Sequence, residues 1–131
     1  MSADRVLVDT SVWIDYFRGT SESVAAKLDA LLTEAQVCVP GIVAAELIQG
    51  AKSDREIRAV EDILEALTVI GHGPGAWVRA GKISRDLKRR GKTVHLVDCY
   101  IAVIAAENGC ALFTLDEHFR DIREVLPLRL L

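Results

Sequence analysis

The chain has 131 residues, half of them apolar and 27% charged, with a formal net charge of −3. That composition supports one folded domain over residues 1–131 rather than a disordered chain, and the length is too little for two ordinary domains. The longest uncharged apolar run, Cys99 to Ala106, spans eight residues, far short of the roughly 20 that a membrane-spanning helix needs. Asp4 and Asp9 interrupt the N-terminal stretch, so no secretory signal is expected and the chain is placed in the cytoplasm. Cys38, Cys99 and Cys110 each sit among apolar neighbours. They read as buried thiols rather than as a disulfide framework or a zinc knuckle.

In chain order, Arg5-Val-Leu-Val8 reads as a short β-strand. Asp9-Thr10-Ser11 supplies helix-capping residue types, and Val12, Trp13, Tyr16 and Phe17 recur at helical spacing up to Gly19. Ser21-Glu22 opens a second helix that carries Val24, Leu28, Leu31 and Leu32. Val37–Val39 is the next strand, stopped by Pro40-Gly41. Ile42 to Lys52 is helical, and Ser53-Asp54 caps a further helix to about Ala66. Thr68–Ile70 is a third strand. The breaker cluster Gly71-His-Gly-Pro-Gly75 precedes a long helix from Ala76 to about Arg90. Asp98, after the apolar stretch Val94 to Val97, starts another helix that ends at Asn108-Gly109. Ala111–Thr114 is a fourth strand, Asp116 caps a short helix, and Pro127 to Leu131 is a candidate edge strand.

Short apolar strands alternating with helices predict an α/β fold, a parallel sheet of four to five strands with helices on both faces. Such sheets bind ligands beyond the carboxyl ends of their strands. Asp9 and Asp116 follow directly on strands, Asp98 begins a helix, and Glu46 lies one turn into the helix after the second strand. Singly, the three aspartates are explained equally well as caps or turn residues. Glu46 is harder to explain that way, because its helical neighbours are Val39, Ile42, Val43, Leu47 and Gly50, and a carboxylate on an apolar stripe needs a compensating partner.

At an effective dielectric of about 20, two carboxylates ~5 Å apart repel by roughly 3 kcal/mol. Gathering four therefore calls for a divalent cation, and an all-oxygen set favours Mg²⁺ or Mn²⁺. A hydrated ion of this kind activates water and neutralises charge growing on a phosphodiester. The hydroxyls of Ser11 and Thr114 stand beside the acids and either orient them or serve as caps and strand packing. His72, His95 and His118 form no ligand pair at helical spacing and read as structural or solvent-facing.

Residues 79 to 92 hold seven basic side chains against a single acid, Asp86, which leaves the rest of the chain strongly acidic. Ala76, Ala80, Ile83 and Leu87 make the apolar stripe of that helix. Lys82, Arg85, Lys88, Arg89 and Lys92 fall opposite it. They form either a solvated face or a phosphate-binding rim for the backbone of a polyanion. Trp13, Tyr16 and Trp77 are candidates for stacking on bases, although packing in a core or a dimer seam is the favoured reading.

Val8-Asp-Thr-Ser-Val-Trp-Ile14, Ala45-Glu46-Leu47, the run from Asp98 to Ala105 and Thr114-Leu-Asp116 together resemble the PIN-domain nucleases, in particular the VapC-type toxins of bacterial toxin–antitoxin pairs. The resemblance covers essentially the whole chain. It implies an acidic quartet of Asp9, Glu46, Asp98 and Asp116, with Asp9, Asp98 and Asp116 as metal ligands and Thr114 as the supporting hydroxyl. Where many relatives carry a further acid, this chain has His118. The resemblance further implies a Mg²⁺- or Mn²⁺-dependent endoribonuclease. It also implies a homodimer, restrained by a small cognate antitoxin whose tail occupies the active-site groove.

The principal alternative is a non-catalytic RNA-binding or regulatory module on the same scaffold. A phosphoaspartyl phosphatase would want a second acid where Ser11 stands, and a receiver domain would want a late lysine, whereas none follows Lys92.

Overall fold

In the computed structural model, the described residues are 5–71 and 73–131; His72 and residues 1–4 lie outside them. The elements run β1 (Arg5–Val8), α1 (Thr10–Arg18), α2 (Glu22–Glu34), β2 (Gln36–Pro40), α3 (Gly41–Gln49) and α4 (Asp54–Ala66). They continue with β3 (Thr68–Ile70), α5 (Gly75–Arg89), α6 (Leu96–Glu107), β4 (Ala111–Phe113) and α7 (His118–Ile122). The four strands form one all-parallel sheet in the order β3-β2-β1-β4.

That order fixes where the helices lie. From β1 the chain steps outward through β2 to β3, then returns across the sheet to β4 on the other side of β1. Right-handed crossovers taken in opposite directions deposit their helices on opposite faces. Accordingly α1, α2, α3 and α4 pack as one layer, and α5, α6 and α7 as the other. The strands are apolar throughout because both faces are covered: Leu7, Val8, Cys38, Val39 and Leu112 are fully buried. Helix α6 shows the same logic, with Cys99 through Ala105 all buried. The longest apolar run of the sequence is thus the central helix of one layer. All three cysteines are free and buried, and among the described residues no helix is long and apolar enough to cross a membrane.

Local signals set most boundaries. Ser21 and Ser53 cap α2 and α4 by accepting from the backbone N–H of Val24 and Glu56. Gly19 ends α1 at φ 65°, a conformation costly for other residues.

Three expectations need correction. Helix α3 ends at Gln49 rather than Lys52, where the chain leaves the helix at Gly50. Asp98 does not begin its helix; α6 starts at Leu96, with His95 at the cap position and Asp98 in the first turn. The edge strand expected over residues 127–131 is reduced to a bridge between Leu130 and Leu112, with Leu112 N–H donating to Arg129 and Leu131 N–H to Leu112. Pro127 has no N–H to offer a ladder, so pairing begins only past it.

Candidate active site

The topology creates the site. Strands β1 and β4 are neighbours although the chain leaves one for β2 and enters the other from α6, so their carboxyl ends flank the point where strand order reverses. The Asp9 N–H donates to the Phe113 carbonyl at 3.0 Å, which carries the β1–β4 pairing one residue past the strands. Asp9 and Thr114 are thereby set side by side.

Asp9 occupies the cap position of α1, yet its side chain caps nothing. Its carboxylate, only 4% exposed, accepts through Oδ2 from Ser11 Oγ at 2.9 Å and from Thr114 Oγ1 at 2.8 Å. The same hydroxyls serve the loop after β4: Ser11 Oγ accepts from the Leu115 N–H and Thr114 Oγ1 from the Asp116 N–H. Two hydroxyls therefore lock Asp9 and the Asp116 loop together. Asp116 does turn the chain into α7, as its Oδ1 accepts from the His118 N–H at 2.9 Å. The His118 ring lies beside it, with Nδ1 2.9 Å from the same oxygen.

Asp98 reaches the cluster from the first turn of α6. Its carboxyl is pushed up to about 6, first by burial and then by the negative charges of Asp116 and Asp9. His95 opposes that push and Glu46 adds a smaller share. The three other predicted acids thus all bear on Asp98. Asp98, Asp116 and His118 each offer a ligand atom within 4.8 Å of the others; Asp9 lies outside that tighter set and joins it through Thr114. Glu46 is half-buried and accepts from Thr10 Oγ1 at 2.8 Å. Among the described residues, none of the four acids is paired with an arginine or lysine. The negative charge is left uncompensated where a carboxylate–hydroxyl donor set suits a hard divalent cation.

A model of the PIN domain matches residues 6–125. The chain belongs to the PIN-domain family. It is 30% identical over 128 residues to ribonuclease VapC11 of Mycobacterium tuberculosis, covering 95% of this chain and 96% of that one. It is 26% identical over 129 residues to ribonuclease VapC2 of Haemophilus influenzae, covering 95% of each. Among solved structures, DNA-bound VapBC from Salmonella typhimurium superposes with a TM-score of 0.77 at 25% identity, over 97% of this chain and 96% of that one.

In this PIN domain the basic helix is only partly the face expected from the sequence. Lys82, Arg85, Lys88 and Arg89 are exposed and carry no ion pair among the described residues, while Ala80, Ile83 and Leu87 are buried. Lys92 is different: its Nζ is held by Asp121 at 3.3 Å and by Glu124, pairs that favour its charged form. It ties the α5–α6 connection to α7, so its charge is already paired. Arg79, early in α5, pairs with Glu107 at the end of α6 and ties the two helices together.

The aromatic residues divide similarly. Trp13 is 1% exposed and packs in the core beside Tyr16 and Phe17. Tyr16 turns its hydroxyl outward to Asp29. Trp77 is 43% exposed and stacks on Tyr100 at 3.7 Å.

His118 is solvent-facing, as its sequence context reads, yet its ring also stands beside Asp116 at the position where the resemblance sets a further acid. One feature of the PIN domain has no counterpart in the sequence reading. Arg120 and Arg123 line a cavity of about 480 Å³ together with Thr114 and Asp116. Their spacing on one short helix was visible, but not which way that helix faces.

Proposed function

We propose that this chain is a Mg²⁺- or Mn²⁺-dependent endoribonuclease that acts as the toxin of a toxin–antitoxin pair. The observation that carries this reading is the convergence of Asp9, Glu46 and Asp116 on Asp98 at a strand-order reversal, with no arginine or lysine ion-paired to any of the four among the described residues. Ribonuclease names among the relatives support the substrate, and the VapBC complexes among the structural neighbours support an antitoxin partner. The resemblance also implies a homodimer.

Asp98 and Asp116 would hold the cation, with Asp9 beside them. Such an ion, when bound, lowers the pKa of a coordinated water and neutralises charge on the phosphodiester under attack. The chain's own residues do the positioning. Ser11 and Thr114 donate to Asp9 Oδ2 and so aim its free oxygen and lone pairs toward Asp98 and Asp116. Thr10 orients Glu46, which stands at the far side of the cluster and accepts a proton or a hydrogen bond from water there. The exposed Lys82, Arg85, Lys88 and Arg89 bring positive charge to α5 and draw the RNA backbone to that helix.

A groove of about 480 Å³ between α1, α3 and α4 begins at Glu46 and is walled by Ile14, Phe17, Leu47 and Val60. It suits an apolar segment of an antitoxin tail, and occupying it would cover Glu46.

The test is Asp9→Asn. Asparagine keeps an oxygen for the Ser11 and Thr114 hydroxyls, so the fold is retained while a negative charge is lost. Purified variant and parent are incubated with total RNA, with Mg²⁺ and with EDTA. The parent is expected to produce new fragments only with metal, and the variant to bind RNA without cutting it. Cleavage by the variant at the parental rate overturns the assignment. A mobility shift without fragments from the parent selects the non-catalytic module.

A further inference from the structure

His118 stands where the cluster needs another donor. One of its ring nitrogens lies within 4.8 Å of a carboxylate oxygen of both Asp98 and Asp116. Its Nδ1 is 2.9 Å from Asp116 Oδ1. Neighbouring donors on an octahedral ion with bonds of about 2.1 Å lie about 3 Å apart, so this separation matches the edge of such a shell. The backbone N–H of the same residue donates to that same Asp116 oxygen, which sets where the ring is hung. The side chain is 55% exposed. In a neutral imidazole one nitrogen keeps the proton while the other offers a lone pair.

Imidazole changes which ion such a site takes. Mg²⁺ is hard and strongly prefers oxygen, whereas first-row transition ions accept nitrogen. On the reading of the acidic cluster as a divalent-ion site, we infer that His118 is a direct nitrogen ligand. It converts the site from an all-oxygen to a mixed oxygen–nitrogen set that selects Mn²⁺ over Mg²⁺. The simpler account, an exposed histidine hydrogen-bonded to an aspartate, predicts no nitrogen on the metal and no change in ion preference when the ring is replaced.

The two accounts separate spectroscopically. The full chain is loaded with Mn²⁺ alone and examined by electron spin-echo envelope modulation. The parent is expected to show ¹⁴N modulation from a coordinated imidazole. His118→Asp, which keeps a ligand at the position, is expected to bind Mn²⁺ without that signal. His95→Gln is expected to retain it, since His95 is the other described histidine whose charge is felt at Asp98. Competition titrations with Mg²⁺ give the second readout: the Mn²⁺/Mg²⁺ affinity ratio is expected to fall about tenfold in His118→Asp. Tight Mn²⁺ binding by the parent with no ¹⁴N modulation, or a signal lost in His95→Gln and kept in His118→Asp, overturns the role of His118 and leaves the metal site standing. Failure of the parent to bind Mn²⁺ at all overturns the metal site itself.

Discussion

Replacing Asp98 by asparagine should make the metal-free protein more stable at neutral pH while removing its response to divalent ions. The Asp98 carboxyl is raised from 3.8 to about 6 by burial and by the charges of Asp116, Asp9 and Glu46. In the unfolded chain it titrates near 3.9. Between about pH 4 and pH 6 the folded protein therefore holds a proton that the unfolded chain has released, so stability falls as pH rises through that window. Above pH 6 the full cost is present. A difference of about two units at 1.36 kcal/mol each sets it at up to about 3 kcal/mol. Asparagine cannot ionise, and its amide N–H₂ can donate to the remaining carboxylates. With an unfolding entropy near 2.1 cal/mol/K per residue, a chain of this length gains up to about 10 °C in Tm. The assay is thermal melting by circular dichroism in EDTA from pH 4 to pH 8, repeated with millimolar Mg²⁺ or Mn²⁺. The melting curves of parent and variant should converge near pH 4 and separate above pH 6. With metal at 100 times its Kd, the parent should recover about 2.7 kcal/mol and the variant nothing. A variant that melts below the parent at pH 7.5 in EDTA, or that follows the same pH dependence, would refute the reasoning, because the carboxylate would then be compensated in the native state.

The remaining predictions concern the supporting residues. Thr114→Val keeps the shape but deletes the hydroxyl that donates to Asp9 Oδ2 and accepts from the Asp116 N–H; metal affinity measured by calorimetry should drop about 10- to 100-fold, and Thr114→Ser should restore it. Reversing Lys88 and Arg89 to glutamate should weaken RNA binding and flatten its dependence on salt, as fewer counterions are released. Lys92→Gln should leave that salt dependence unchanged in the same filter-binding assay, since Asp121 and Glu124 already occupy its charge.

The contrast between Lys88 and Lys92 shows where a sequence stops being informative. The strands of this sheet are legible because both of their faces are buried, so each reads as an unbroken apolar run between breakers. The acids are legible because a parallel sheet puts every strand's carboxyl end on one side, and Asp9 and Asp116 lie immediately past two such ends. Hence the fold class and the convergence of the acids followed from local patterns plus one topological rule. What does not follow is pairing between residues far apart in the chain. Lys92 resembles its basic neighbours by charge and position, and only the packing of α7 brings Asp121 and Glu124 onto it. Glu46 reads as a carboxylate in need of a compensating partner, and it accepts from the hydroxyl of Thr10, 36 residues earlier. His118 is solvent-facing, as its sequence context reads, and helical spacing offers it no ligand pair. Its neighbours come from a turn, through Asp116, and from a distant helix, through Asp98. In each case the charge of the residue was evident and the sign of its surroundings was not. The surroundings are set by which helix crosses which strand end, and it is those crossings that bring Asp98, Asp116 and His118 together from separate elements.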